Sequence, residues 1–235
     1  MIWLFESLVK LKKLQEFDFF KTINFMNIKT FIIALFVTSA VFGQQFSDAE
    51  KNIILNGSVT VPLKIIQITD EQELKVLKSK STDIDSNDKN IVILKQRMFL
   101  AMRGETRPGV GIAAPQVGIN RNLIWVQRFD KPEKPFEFYV NPKIIWKSEL
   151  MRLGPEGCLS IPQDRSDVYR HYTIKISYTK DRKTVEEIVE GFTAVIFQHE
   201  TDHLNGILFT DRRAEQLQKI FLTQNAATNF FIEQK

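Results

Sequence analysis

The chain has 235 residues, an ordinary 43% apolar share, one cysteine and a formal charge of +4, half of it from residues 1–43 with their five Lys against three acids. That length suits one domain with a sizeable core, and the near-neutral remainder gives no reason to expect a nucleic-acid-binding surface. A lone Cys158 excludes an intrachain disulfide and is either a small buried hydrophobe or a reactive or metal-binding thiol.

From Met26 the sequence runs Met-Asn-Ile-Lys, then an apolar stretch Phe31 to Phe42, then Gly43 before Gln44. A short basic start, an apolar run too short for a comfortable membrane span and small or modest residues at a cleavage junction predict a secretory signal over 26–43, and so export to the periplasm. The catalytic domain is then 44–235; if the segment does not function, the protein is cytoplasmic. The alternative is a retained amphipathic appendage, with Leu4, Leu8, Leu11 and Leu14 along one face.

Asp48 to Ile66 carries weak signals, and the polar run Asp70 to Asn90 reads as loop. Ile91, Leu94, Met98 and Met102 keep a helical period, with Asn87 or Asp88 as caps and Gly104 as stop. Gly109 to Gly118 has so little side-chain bulk that another chain can approach its backbone, though a tight turn into a strand explains it as well. No Lys-Ser or Lys-Thr follows these glycines and no helix pattern opens there, so it is not a phosphate loop.

Leu123 to Gln127 and Phe136 to Val140 predict a hairpin through the Pro-containing link Asp130 to Pro135, and Ile144 to Trp146 extends its second strand. Ile174 to Tyr178 and Val185 to Val189 predict a second pair joined at Lys180 to Lys183. No helical pattern intervenes, which favours a compact antiparallel α+β domain over a parallel sheet.

The stretch Gln198-His199-Glu200-Thr201-Asp202-His203-Leu204-Asn205-Gly206 supplies its centre. On a helix, residues four apart share a face, so His199 and His203 can grip one metal ion with Glu200 beside it. Phe192 to Phe197 is apolar, as in a helix inside a core, and Asn205-Gly206 is a C-terminal stop. The tail Asp211 to Gln224 looks helical, with Leu217, Ile220 and Phe221 on one side.

Two His need a third protein ligand and an open position. Downstream, Gly206 is followed by Ile207-Leu208-Phe209 rather than a further His, so the ligand is expected upstream. Cys158 in Glu156-Gly157-Cys158-Leu159-Ser160 offers a thiolate; His171, the other possibility, reads better as a surface or core residue.

Gly109-Val110-Gly111-Ile112-Ala113-Ala114-Pro115-Gln116, Glu156 to Ser160 and Gln198 to His203 together resemble the three signature motifs of peptide deformylase, in order and at family-like spacing, within Pro62 to Arg213. The resemblance implies a divalent ion on Cys158, His199 and His203, first Fe²⁺ and otherwise Zn²⁺ or Ni²⁺. It implies hydrolysis of the formyl group of N-formylmethionyl peptides or nascent chains, with Glu200 moving the proton. The oxyanion donors would be the Gln116 side-chain amide and the Leu159 N–H. Gly111 and Ile112 would pair with the substrate backbone, and Phe192, Val195 and Ile196 would line the methionine pocket, although plain core explains those three nearly as well. Two other readings compete: a zincin-type endopeptidase, against which the upstream Cys158 argues, and an inactive formyl-peptide-binding relative, which would have no need of Glu200. The sequence does not specify the oligomeric state.

Overall fold

A computed structural model describes residues 44–104 and 108–234. The signal-like segment 26–43 and the leucine stripe before it lie outside the described residues.

The chain enters at Gln44, which bridges to Ile84, and Phe46 is buried within two residues of it. Helix α1 (Asp48–Leu55) starts on a capping box in which Ser47 and Glu50 satisfy each other's backbone N–H groups. Helix α2 (Glu71–Leu77) corrects the loop expected over 70–90. The Asp70 side chain accepts from Gln72 and Glu73 N–H, capping a helix too short to show a period. Helix α3 (Asn90–Met102) is where the period placed it. Ile91, Leu94, Met98 and Met102 are all buried, each worth roughly 1.5–3 kcal/mol relative to exposure. Asp88 receives the Asn90 N–H on one carboxylate oxygen and the Phe46 N–H on the other.

Strand β1 (Gly111–Ala113) leads into a 3-10 turn (Ala114–Val117), where no helical pattern was expected. It is the edge of a five-stranded antiparallel sheet. The order is β1, β2 (Leu123–Gln127), β3 (Phe136–Lys147), β6 (Thr173–Lys180) and β7 (Lys183–Glu190). Both expected hairpins are present, the second closing at Lys180↔Lys183. A second sheet has the order β5 (Ile161–His171), β4 (Leu150–Cys158), β9 (Phe230–Glu233) and β8 (Phe221–Asn225).

Helix α4 (Gly191–Leu204) packs against β1, β2 and β3, and also touches β5, β6 and β7. It is buried on nearly every side, which is why its sequence is apolar or hydrogen-bonded all round rather than striped. It ends as expected: Gly206 has φ +69°, and a Cβ there would lie 2.2 Å from the Lys78 carbonyl oxygen, so only glycine fits. Helix α5 (Phe209–Gln216) stops eight residues short of the helical tail expected to Gln224. Beyond it Phe221 stacks on Tyr169 at 3.6 Å and β8 pairs with β9, while Leu217 and Ile220 are exposed rather than forming a buried face. No helix among the described residues is long and apolar enough to cross a membrane.

Candidate metal centre and active-site cleft

Cys158 ends β4, where a register shift against β5 turns the strand out of its ladder and brings the thiol toward α4. There the ligand atoms of Cys158, His199 and His203 all lie within 4.8 Å of one another. Cys158 Sγ is 3.3 Å from His203 Nε2. His199 uses Nδ1 to meet Glu156 Oε2 at 2.8 Å, which leaves its Nε2 for the cluster. His171 is elsewhere, with Nδ1 2.6 Å from the Ser148 carbonyl oxygen, as suits a residue without a ligand role.

The electrostatics suit a cation. Burial alone would raise the Cys158 thiol, but the charge of His203 and hydrogen bonds from both imidazoles bring its pKa down to about 5. Burial would also raise Glu156, yet the His199 bond and the Arg170 guanidinium hold it at about 2. One thiolate and two imidazoles form a borderline-to-soft donor set with their ligand atoms converging on one point. These residues fit a single divalent ion.

Glu200 is held in by β1. A Cβ on Gly111 would come within 2.5 Å of Glu200 Oε1 and 2.8 Å of Ile196 Cγ2, so the bare backbone at Gly111 is what admits the carboxylate. Glu200 is 4% exposed, and its Oε2 has no hydrogen-bond partner among the described residues. Burial raises its pKa to about 7, against the pull of His199 and His203. A carboxyl group so poised near neutrality can both take and give a proton. Opposite it, Gln116 accepts the Ala113 N–H on Oε1 at 2.9 Å, which aims Nε2 at Cys158 Sγ and Ser160 Oγ, each 3.4 Å away.

These groups surround a cleft of about 460 Å³ whose lining includes Gly111, Gln116, Cys158, Leu159, His199 and Glu200. Phe192, Val195 and Ile196 also face it. Phe192 is not in the core as its run suggested; it is 46% exposed at the mouth, against Phe129. The Ile112 side chain points into the main core, leaving only its backbone on the edge strand. A larger polar cavity of about 600 Å³ lies along another face of α4, beside Gln198, Thr201 and Asp202, and holds none of the three clustered ligands.

Sequence reasoning quoted Glu156 without giving it a role and passed over Arg170 and Asp202. Arg170 grips Glu156 through Nε (2.6 Å) and Nη2 (3.0 Å) and Asp202 through Nη1 (2.6 Å), and Arg212 closes the far side of Asp202. The available signal was the charge of Asp202 inside an otherwise buried helix, which demands a cation somewhere in the chain.

Residues 62–219 match the family model described as polypeptide deformylase. The chain belongs to that family. The peptide deformylase of Caulobacter sp. (strain K31) is 37% identical over 171 residues, covering 70% of this chain and 98% of that one. That of Brachyspira hyodysenteriae is 43% identical over 142 residues, covering 58% and 74%. The Met-Ala-Ser-bound class I type b peptide deformylase of Acinetobacter baumannii superposes with a TM-score of 0.57 at 36% identity, over 65% of this chain and 99% of that one. Deformylases are metal-dependent hydrolases, and this one removes the formyl group from the N-formylmethionine of nascent peptides. The zincin-type endopeptidase reading falls with that assignment.

Proposed function

We propose that the cleft deformylates with the following division of labour. Cys158, His199 and His203 hold one divalent ion; Glu200 carries the proton; Gln116 Nε2 and the Leu159 N–H receive the charge that develops on the formyl oxygen. The convergence of the three ligand atoms within 4.8 Å, with Glu200 beside them, carries this reading.

When bound, the ion supplies Lewis acidity, acidifying a water and polarising the formyl carbonyl. Glu200 accepts that water's proton and delivers it to the departing amine, for which a pKa of about 7 suits both halves of the cycle. Gln116 is locked by its bond to Ala113, so its N–H donor needs no reorganisation as charge appears. The free edge of β1 offers the Gly111 and Ile112 backbone to an extended peptide as an added strand. Phe192, Val195 and Ile196 then receive the methionine side chain.

Iron is the ion we assign, with Zn²⁺ or Ni²⁺ able to replace it, because thiolate and imidazole suit these borderline metals. We also assign residues 26–43 as an export signal and 44–235 as the catalytic domain. In support, Gln44 and Phe46 already engage Ile84 and Asp88, so cleavage after Gly43 removes nothing that these contacts require. Formate release from a formyl-Met peptide by anaerobically purified protein, with metal content measured on the same sample, tests chemistry and ion together. Full activity without stoichiometric metal refutes the assignment. Amino-terminal sequencing after cell fractionation tests export: an intact Met1 or Met26 in the cytosol refutes it.

A further inference from the structure

The two oxyanion donors proposed above come from segments far apart in the chain, the turn at Gln116 and the end of β4 at Leu159. Three consecutive residues before α2 join them. The Ile66 N–H donates to the Gln116 carbonyl at 2.9 Å, and the Ile68 N–H donates to the Ser160 carbonyl at 3.2 Å. Between them, Gln67 Nε2 donates to the Leu159 carbonyl at 3.1 Å and more weakly to that of Ile65 at 3.4 Å. Glu73 of α2 holds the Gln67 backbone N–H at 2.6 Å.

The peptide plane after Leu159 is thereby gripped at both ends. Its carbonyl is held by Gln67 and its N–H, that of Ser160, points at Cys158 Sγ at 3.4 Å. A planar peptide cannot turn one end without the other. The Leu159 N–H belongs to the preceding peptide, but the two peptides share the Leu159 Cα, so a displacement of this plane shifts the atom that carries that N–H beside the cleft that Leu159 lines. Packing does not explain the choice of residue: Gln67 Oε1 is buried without a partner among the described residues, and its neighbour Ile68 packs into an apolar cluster with Ile161 and Phe209. Burying an unpaired amide oxygen is unfavourable, so an apolar side chain would serve packing better.

We infer that Gln67 is a positioning residue for deformylation, its side-chain amide fixing the Leu159–Ser160 peptide and so the place of the Leu159 Cα from which the N–H donor extends. It is not among the residues that line the cleft, nor one of the three clustered ligands. The inference rests on the oxyanion role proposed for Gln116 and Leu159.

Gln67→Met keeps length and volume but removes the donor; Gln67→Glu keeps the shape and turns an acceptor toward the carbonyl; Gln67→His restores an N–H at similar reach. Each variant is purified with metal content and thermal midpoint recorded, and kcat and KM are measured on a formyl-Met peptide. The Met and Glu variants are expected to bind metal fully and to lose about tenfold in kcat with KM within about twofold, a fraction of what losing a whole oxyanion donor costs. The His variant is expected to recover most of that loss. A folded, metal-replete Met or Glu variant with kcat within about twofold of the parent overturns the inference, as does a loss that appears only in KM or in metal content. Gln116→Leu is measured alongside. If it leaves kcat intact, the underlying oxyanion assignment fails; if it is severely impaired while Gln67→Met is not, only the positioning role fails.

Discussion

Replacing Arg170 by Met tests whether the ion-pair chain behind the metal centre supports both fold and metal. Arg170 and Glu156 side chains are each 5% exposed and Asp202 is 10% exposed, and three of the guanidinium bonds are 3.0 Å or shorter. Asp202 keeps Arg212 when Arg170 is lost, but among the described residues Glu156 keeps only the His199 contact, so the uncompensated charge falls on Glu156. Removing one partner of a buried pair typically costs about 3–5 kcal/mol, which for a domain of this size lowers the melting midpoint by roughly 6–20 °C. Glu156 is also what orients His199, and loss of such support typically weakens metal binding about 10–100-fold. Thermal denaturation of metal-loaded protein and titration against a chromophoric chelator read the two effects separately. Arg170→Lys retains the charge without the fork and is expected to fall between parent and Met variant. A midpoint change under about 2 °C with unchanged metal affinity would refute the reasoning.

Further outcomes follow from the same geometry. Glu200→Gln is expected to keep its metal and lose at least about two orders of magnitude in turnover, so near-normal kcat with full metal content sinks its role as proton carrier. Gly111→Ala places a methyl 2.5 Å from Glu200 Oε1 and is expected to lose activity about tenfold or more, with a stability loss of about 1–3 kcal/mol; a fully active, equally stable variant shows that β1 has slack there. Cys158→Ser is expected to lose metal, and the parent should lose activity in air more slowly with Ni²⁺ than with Fe²⁺; full occupancy in the Ser variant names the wrong third ligand. Glu50 has its pKa lowered: burial opposes ionisation, but Arg121 and Ser47 outweigh it. Its contribution is therefore present above the unfolded carboxylate value of about 4.3 and is lost as pH falls through the lower folded one. Glu50→Gln should flatten that part of the acid limb, and parallel acid limbs for the two proteins would contradict it.

The elements read correctly from the sequence are those whose burial is periodic and whose partners are adjacent in the chain. Helix α3 puts Ile91, Leu94, Met98 and Met102 on one buried face, and β6 pairs with β7 directly across Lys180 and Lys183. Where distant partners decide, local reading failed. No strand is expected over the stretch leading into Cys158, yet it forms β4, held by pairing from Met151↔His171 to Gly157↔Arg165. Residues 217–224 have helical propensity, but the Tyr169 stack on Phe221 and the β8–β9 ladder outweigh it. Helix α2 fell below the length at which a period is visible, although Asp70 followed by Glu73 was the capping signature to look for.

The site divides in the same way, and the division has a physical cause. Ligand spacing on one helix is fixed by helix geometry, so His199, Glu200 and His203 declare themselves in a single stretch. The groups that tune them come from wherever the fold supplies an opposite charge or a spare donor. Glu156 sits opposite Ser166 and Arg170 opposite Arg152 in the β4–β5 ladder, so their side chains meet only by reaching along it, while Asp202 reaches the same guanidinium from α4. Nothing in the order of the residues connects these three. What the sequence does carry is an unpaid requirement: a carboxylate at position 202 in a helix whose other neighbours are buried must meet a cation, and a glycine at position 111 must leave room for something. Reading such requirements forward, as a search for the partner each buried polar group must have, would have pointed to a buried Arg behind α4 and to a side chain pressed against Gly111. It would not have identified Gln67, whose demand is met by a backbone carbonyl that any residue at position 159 would provide.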